Sequence, residues 1–91
     1  MLYTAKCFWP GATERAVERA VAAAGRADAS VFRGVLYLPR DELVLGLFEC
    51  SSGLDARRAS ELAGMPCERV IESLWFRGVA EPPTTKGRTQ A

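Results

Sequence analysis

The order in which strand-like and helix-like patterns follow one another constrains the fold of this chain most. Strand-like stretches, rich in aromatic, leucine and β-branched residues, occupy residues 2–9, 31–38, 43–50 and 69–76. Apolar residues recur at helical spacing after Thr13 and again after Ser52, two residues whose hydroxyl groups suit helix N-caps. Gly25 and Gly64 are predicted to end these two helices. The predicted order of elements is therefore β-α-β-β-α-β.

Chain connectivity turns this order into a specific architecture. The short polar link at residues 39–42 predicts a hairpin between strands 2 and 3. Right-handed crossovers then give the strand order 4-1-3-2, in which we expect the central strands 1 and 3 to be parallel and both helices to cover one face. We therefore predict an α+β, ferredoxin-like sandwich over residues 1–77, with an antiparallel or mixed sheet. Residues 78–91 are predicted to be a flexible polar tail.

Side-chain alternation divides the predicted strands into two faces. The face with smaller side chains, which suits packing against helices, is predicted to carry Tyr3, Ala5, Cys7, Trp9, Phe32, Gly34, Leu36, Leu38, Val44, Gly46, Phe48, Cys50, Ile71, Ser73 and Trp75. The other face is predicted to carry Leu2, Thr4, Lys6, Phe8, Val31, Arg33, Val35, Tyr37, Leu43, Leu45, Leu47, Glu49, Val70, Glu72, Leu74 and Phe76. About ten of these are apolar, and because so large an exposed apolar patch is uncommon on a monomer, we expect a homodimer through this face.

Polar side chains interrupt the second face and are the candidate functional residues: Lys6, Arg33, Tyr37, Glu49 and Glu72. In a cavity at this face, Glu49 or Glu72 would act as a general base, because burial raises the pKa of a carboxylate. Lys6, Arg33 or Tyr37 would then be the electrophilic partner. The candidate catalytic residues are therefore Glu49, Glu72 and Lys6.

The same polar residues also suit two other roles. In a binding protein, the residues expected to contact a small ligand are Arg33, Tyr37, Phe8 and Leu47. In a purely structural role, the charges would form ion pairs at a dimer interface, above all Lys6 with Glu49, which we expect at a similar height on the neighbouring strand.

Composition excludes several partners. Twelve basic and eleven acidic residues leave a net charge of +1, so we expect neither nucleic acid nor a membrane as partner. No stretch reaches the roughly 18 apolar residues of a membrane span, and no secretory signal is visible, which predicts a cytoplasmic protein. Phosphate-binding glycine loops and dinucleotide fingerprints are absent, so no cofactor is predicted.

The three cysteines, Cys7, Cys50 and Cys67, have no C-x-x-C spacing, and we expect them to be reduced. Cys7 and Cys50 are predicted to share one face of adjacent strands, where a two-thiolate metal site is conceivable. The chain contains no histidine, and closed zinc sites need four ligands, so buried structural cysteines are the preferred interpretation and no metal site is predicted.

Several segments resemble the small bacterial nickel-binding, ferredoxin-like domain family, most of whose members have unknown function. They are Leu2-Tyr3, Phe8-Trp9-Pro10-Gly11-Ala12-Thr13, Tyr37-Leu38-Pro39-Arg40-Asp41-Glu42, Leu47-Phe48-Glu49 and Arg58-Ala59-Ser60-Glu61-Leu62-Ala63-Gly64-Met65-Pro66-Cys67-Glu68-Arg69-Val70. The resemblance spans residues 2–76 and implies a ferredoxin-like dimer with Glu49 as a family-like residue. Nickel does not carry over, because metal binding in that family is associated with histidine, and Lys6 stands where the family often has a carboxylate.

Three functions remain open from the sequence. The leading one is a small dimeric binding or accessory protein that holds a small organic ligand in a cavity at the open sheet face. The second is a cofactor-independent isomerase or cyclase that uses a buried carboxylate as general acid or base. The third, a nickel-binding stress protein, is disfavoured by the absence of histidine.

Overall fold

The elements of the chain follow the predicted order. The computed structural model describes residues 1–28 and 30–78; from residue 79 onwards, the predicted tail lies outside the described residues. The elements are β1 (Leu2–Phe8), α1 (Glu14–Ala27), β2 (Phe32–Leu38), a 3-10 turn (Pro39–Asp41), β3 (Leu43–Glu49), α2 (Gly53–Leu62) and β4 (Arg69–Ser73). The four strands form one antiparallel sheet in the order β2-β3-β1-β4, which confirms the ferredoxin-like α+β fold and its predicted strand order.

Both helices begin at the predicted caps. The hydroxyl of Thr13 accepts a hydrogen bond from the Ala16 backbone N–H at 3.0 Å, and the hydroxyl of Ser52 accepts one from the Asp55 N–H at 3.2 Å. Each bond satisfies a donor that the first turn of a helix leaves free. The predicted end of α1 at Gly25 was wrong, because the helix continues to Ala27 and is capped at residue 28.

The core lies between the sheet and the two helices, and it is built largely from small side chains. The most buried sheet residues are Ala5, Cys7, Val44 and Phe48, and they pack with Val17, Ala20 and Ala24 of α1 and with Ala56 of α2. Gly46 leaves room for the Phe48 ring of its own strand: a Cβ at this position would lie 2.9 Å from that ring. A larger residue at position 46 would therefore displace a buried side chain of the core.

The two central strands run antiparallel, not parallel as expected. The right-handed crossover makes β1 and β2 run the same way, and the hairpin reverses the chain between β2 and β3, so β3 must oppose β1. In the observed register, Lys6 faces Leu45 and Glu49 faces Leu2. Lys6 and Glu49 therefore lie towards opposite ends of the sheet.

A β-bulge in β2 changes which side chains face the helices. Phe32 pairs with Phe48, but the next paired residue, Gly34, faces Leu47, so the alternation shifts by one residue at Arg33. Gly34 has a φ of +129°, which L side chains rarely adopt. Beyond the bulge, Tyr37 lies opposite Val44 on the helix side.

The predicted faces of β4 are also reversed. Val70 lies opposite Ala5 and packs against the core, while Ile71 lies opposite Thr4 on the face that the helices leave uncovered. Glu72 faces Tyr3 on the helix side and is exposed at the sheet edge. The strand ends at Ser73, three residues before the predicted end.

In the part of the chain that the structure describes, no helix is both long and apolar enough to cross a membrane.

Candidate functional site

The sheet side opposite the helices is the candidate functional surface, and we call it the open face. Its side chains are Leu2, Thr4, Lys6, Phe8, Arg33, Leu36, Leu38, Leu43, Leu45, Leu47, Glu49, Arg69, Ile71 and Ser73. Within residues 1–28 and 30–78, neither helix packs on this face, because the residues packed against both helices lie on the other side of the sheet. Phe8 and Leu36 are consequently 49% and 59% exposed.

A groove of about 380 Å³ lies at the end of the open face where β1 begins and β3 ends. Its walls are Leu2, Arg33, Leu47, Glu49, Trp75 and Arg77, and we call these six residues the groove. The size falls at the lower end of the roughly 300–1,000 Å³ that small-molecule pockets span. The groove thus combines three apolar side chains with two guanidinium groups and one carboxylate.

Glu49 is held as a carboxylate by its neighbours. One oxygen lies 2.8 Å from the amino group of Met1. This hydrogen-bonded contact lowers the pKa of Glu49 below its ordinary value of 4.5, and the nearby charge of Arg33 contributes in the same direction. The side chain is 43% exposed, so burial does not reverse the shift. A carboxylate with a lowered pKa is a weak proton acceptor.

The two arginines of the groove are the charges that remain for a ligand. Among the described residues, neither Arg33 nor Arg77 takes part in a salt bridge or a side-chain hydrogen bond. Arg33 reaches the groove from the β2 bulge, and Arg77 from the segment after β4. Even without the Met1 amino group, two positive charges face the one carboxylate of Glu49.

The prediction that Lys6 pairs with Glu49 was wrong, because each side chain has a different partner. The Lys6 ammonium lies 3.7 Å from a carboxylate oxygen of Glu68, which precedes β4. The two central strands are antiparallel, so the C-terminal end of β1 and the C-terminal end of β3 lie at opposite ends of the sheet along the strand direction. Lys6 does not line the groove.

Two further candidates, Tyr37 and Glu72, fall outside the open face. The Tyr37 hydroxyl donates a hydrogen bond to the backbone carbonyl of Ala12 at 2.9 Å, and its ring packs against the core. The bulge and the reversed β4 faces explain both misplacements. Of the predicted ligand contacts, Arg33 and Leu47 line the groove, whereas Phe8 lies at the opposite end of the open face.

Sequence reasoning missed Trp75 and Arg77 as groove residues. It continued β4 through residue 76 and thereby placed Trp75 on the helix side. In the structure, Leu74, Trp75 and Phe76 follow the strand and are 75%, 69% and 85% exposed. Three consecutive large apolar residues break the alternation of a half-buried strand, and this was the available signal.

The cysteines occupy two separate places. Cys7 is fully buried, and its sulfur lies 3.4 Å from the Ser60 hydroxyl. Burial is also the main reason that the pKa of Cys7 is raised, and the pKa of Cys67 and of Cys50 is raised by burial too. Cys50 follows β3 at the opposite end of the sheet from Cys7, so the predicted neighbouring pair does not form. Among the described residues, no group of three or more ligating side chains could hold a metal ion.

Comparison with known proteins finds a similar solved structure but no matching family model. No protein-family model matches the chain, and no curated protein matches it. The crystal structure of SCO4226 from Streptomyces coelicolor A3(2) is similar, with a TM-score of 0.70 and 17% sequence identity; the match covers 85% of this chain and 100% of that chain. At this level of identity, the likeness supports the fold alone.

Proposed function

We propose that this chain is a cytoplasmic, homodimeric binding protein that holds a small organic ligand in the groove of the open face. The observation that carries the proposal is the composition of the groove: apolar walls from Leu2, Leu47 and Trp75 beside the guanidinium groups of Arg33 and Arg77. Pockets for small molecules combine apolar walls with a few polar groups in this way.

The rest of the open face supports the dimer. Away from the groove, its apolar residues are Phe8, Leu36, Leu38, Leu43, Leu45 and Ile71. A continuous apolar patch on a sheet is a common protein interface, and pairing of two copies would cover it. The groove and this patch occupy different ends of the same face, so a dimer can form while each groove keeps its polar groups.

Binding has more support than proton transfer or metal binding. A general base near neutral pH needs a carboxylate with a raised pKa, but the pKa of Glu49 is lowered. Glu72 is exposed on the other side of the sheet. Nickel needs several ligands in one place, and the described residues bring no such group together.

The test uses a neutral fluorescent apolar probe, N-phenyl-1-naphthylamine, with the full chain. We expect saturable binding that Trp75→Ala weakens about tenfold or more, because an aromatic wall of the site is lost. Phe76→Ala is the matched control: Phe76 is adjacent and still more exposed, but it does not line the groove. Equal binding by both variants, or no saturable binding to the native chain, would contradict the proposal.

A further inference from the structure

We infer that the ligand of the groove is an organic anion, a flat apolar body carrying a carboxylate, with Arg33 as the residue that anchors its charged group. The inference rests on the proposed binding function and narrows its ligand class. Three observations carry it: the balance of charge in the groove, the position of Arg33 and the apolar walls.

The balance of charge favours an anion. Glu49 is already engaged by the Met1 amino group at 2.8 Å. The guanidinium groups of Arg33 and Arg77 form no salt bridge within residues 1–28 and 30–78. A carboxylate ligand would therefore meet two guanidinium groups, whereas a cationic ligand would have to compete with them for Glu49.

The bulge places Arg33 for this role. Arg33 and Gly34 together stand opposite Leu47, so the bulge presents the Arg33 side chain at the groove beside an apolar neighbour. Charge interactions strengthen where apolar groups displace water. A guanidinium group also offers a planar pair of donors that matches the two oxygens of a carboxylate. Arg33 is thus suited to a bidentate contact, and Arg77 adds positive charge from the other wall.

The remaining walls suit a flat apolar body. Trp75 offers an aromatic surface that is 69% exposed in the free chain, and Leu2 and Leu47 lie across the same groove. Flat rings pack well against an indole face. A volume of about 380 Å³ accommodates a small molecule.

Calorimetry with matched naphthalene probes tests the inference on the full chain. We expect 1-naphthoate to bind about tenfold or more tightly than the neutral 1-naphthamide, because bonds to charged groups are stronger than neutral ones. Arg33→Gln should remove most of this preference, leaving the smaller part that Arg77 supplies, and Arg33→Lys should keep more of it. Raising the salt concentration should weaken naphthoate binding and leave naphthamide binding unchanged.

Arg40→Gln is the matched control, because Arg40 is exposed on the 3-10 turn and does not line the groove. It should leave the preference intact, and circular dichroism should show both glutamine variants folded. Equal, Trp75-dependent binding of naphthoate and naphthamide would overturn the inference while the proposed function stands. The inference also fails if 1-naphthylmethylammonium binds more tightly than naphthoate, or if Arg40→Gln has the same effect as Arg33→Gln. If none of these probes and no N-phenyl-1-naphthylamine binds, the proposed function itself fails.

Discussion

Glu49 was the residue for which a functional role was most strongly expected. Its strand suggests a raised pKa, but its neighbours lower the pKa instead. Leu43, Leu45 and Leu47 share its face, and a carboxylate buried among leucines would have a raised pKa. The side chain instead lies at the end of β3, half-exposed and in contact with the Met1 amino group. A hydrogen-bonded positive charge therefore determines its behaviour, and Lys6 has no part in it.

The pH dependence of stability tests this account of Glu49. Its pKa in the folded chain lies below the ordinary 4.5, so its stabilising contribution is present above that value and disappears as the pH falls through the folded pKa. We expect the Tm of the native chain to exceed that of Glu49→Gln by a constant amount between about pH 5 and pH 7. The difference should shrink at lower pH.

Differential scanning fluorimetry of both proteins from pH 7 to pH 3 measures this difference. A difference that grows on acidification would mean that the folded pKa is raised, and the contact with Met1 would then not determine it. In a Lys6→Met background, which lacks the predicted but unobserved partner, Glu49→Gln should lower the Tm with the same pH dependence as in the native chain.

At the scale of elements, the sequence predicts type and order well and side-chain direction less well. Caps, helical spacing and turn residues identified both helices and all four strands, because these signals are local. The alternation in β1 and β3 also gave the correct faces, since the small residues Ala5 and Gly46 lie, as predicted, on the side that packs against the helices.

The faces of β2 and β4 could not be predicted for two different reasons. A bulge inserts one residue into β2, and because Val35 to Leu38 are all apolar or aromatic, their pattern does not reveal which of them face the helices. In β4, apolar Val70 and Ile71 are followed by polar Glu72 and Ser73, so the period of two fits either direction. For these reasons Tyr37 and Glu72, which were predicted on the open face, lie on the helix side of the sheet.

Close packing in the core can be tested with two glycines. Gly46→Ala should destabilise the fold by about 1–3 kcal/mol, because the added methyl group would overlap the Phe48 ring unless the core shifts. Gly25→Ala is the control within α1, where a Cβ would have no atom within 4 Å. It should stabilise by about 0.5–1 kcal/mol, since alanine favours the helix interior. Urea denaturation measures both, and equal stability of the two variants would contradict this account of the core.

At the scale of the whole molecule, the two-layer arrangement makes the open face the defining surface. One layer of helices covers one side of the sheet, and in the described part of the chain neither helix packs on the apolar residues of the other. The sequence predicted this imbalance from the number of apolar strand residues. It did not predict the groove, because Trp75 and Arg77 reach it from a segment beyond the last strand, and no periodic pattern describes such a segment.

The proposed dimer follows from this imbalance, and Leu36 is the residue with which to test it. Leu36 lies opposite Leu45 on the open face, away from the groove, and is 59% exposed in the single chain. In a two-fold dimer each interface residue occurs twice, so Leu36→Lys should weaken association at least about a hundredfold by removing two buried leucine contacts.

Leu62→Lys is the control for this prediction: it changes a leucine that is 77% exposed on α2 and should leave the dimer intact. Sedimentation velocity at micromolar concentration should show the native chain and Leu62→Lys as dimers and Leu36→Lys as a monomer. A monomeric native chain, or a Leu36→Lys variant that still dimerises, would mean that the open face does not pair with a second copy.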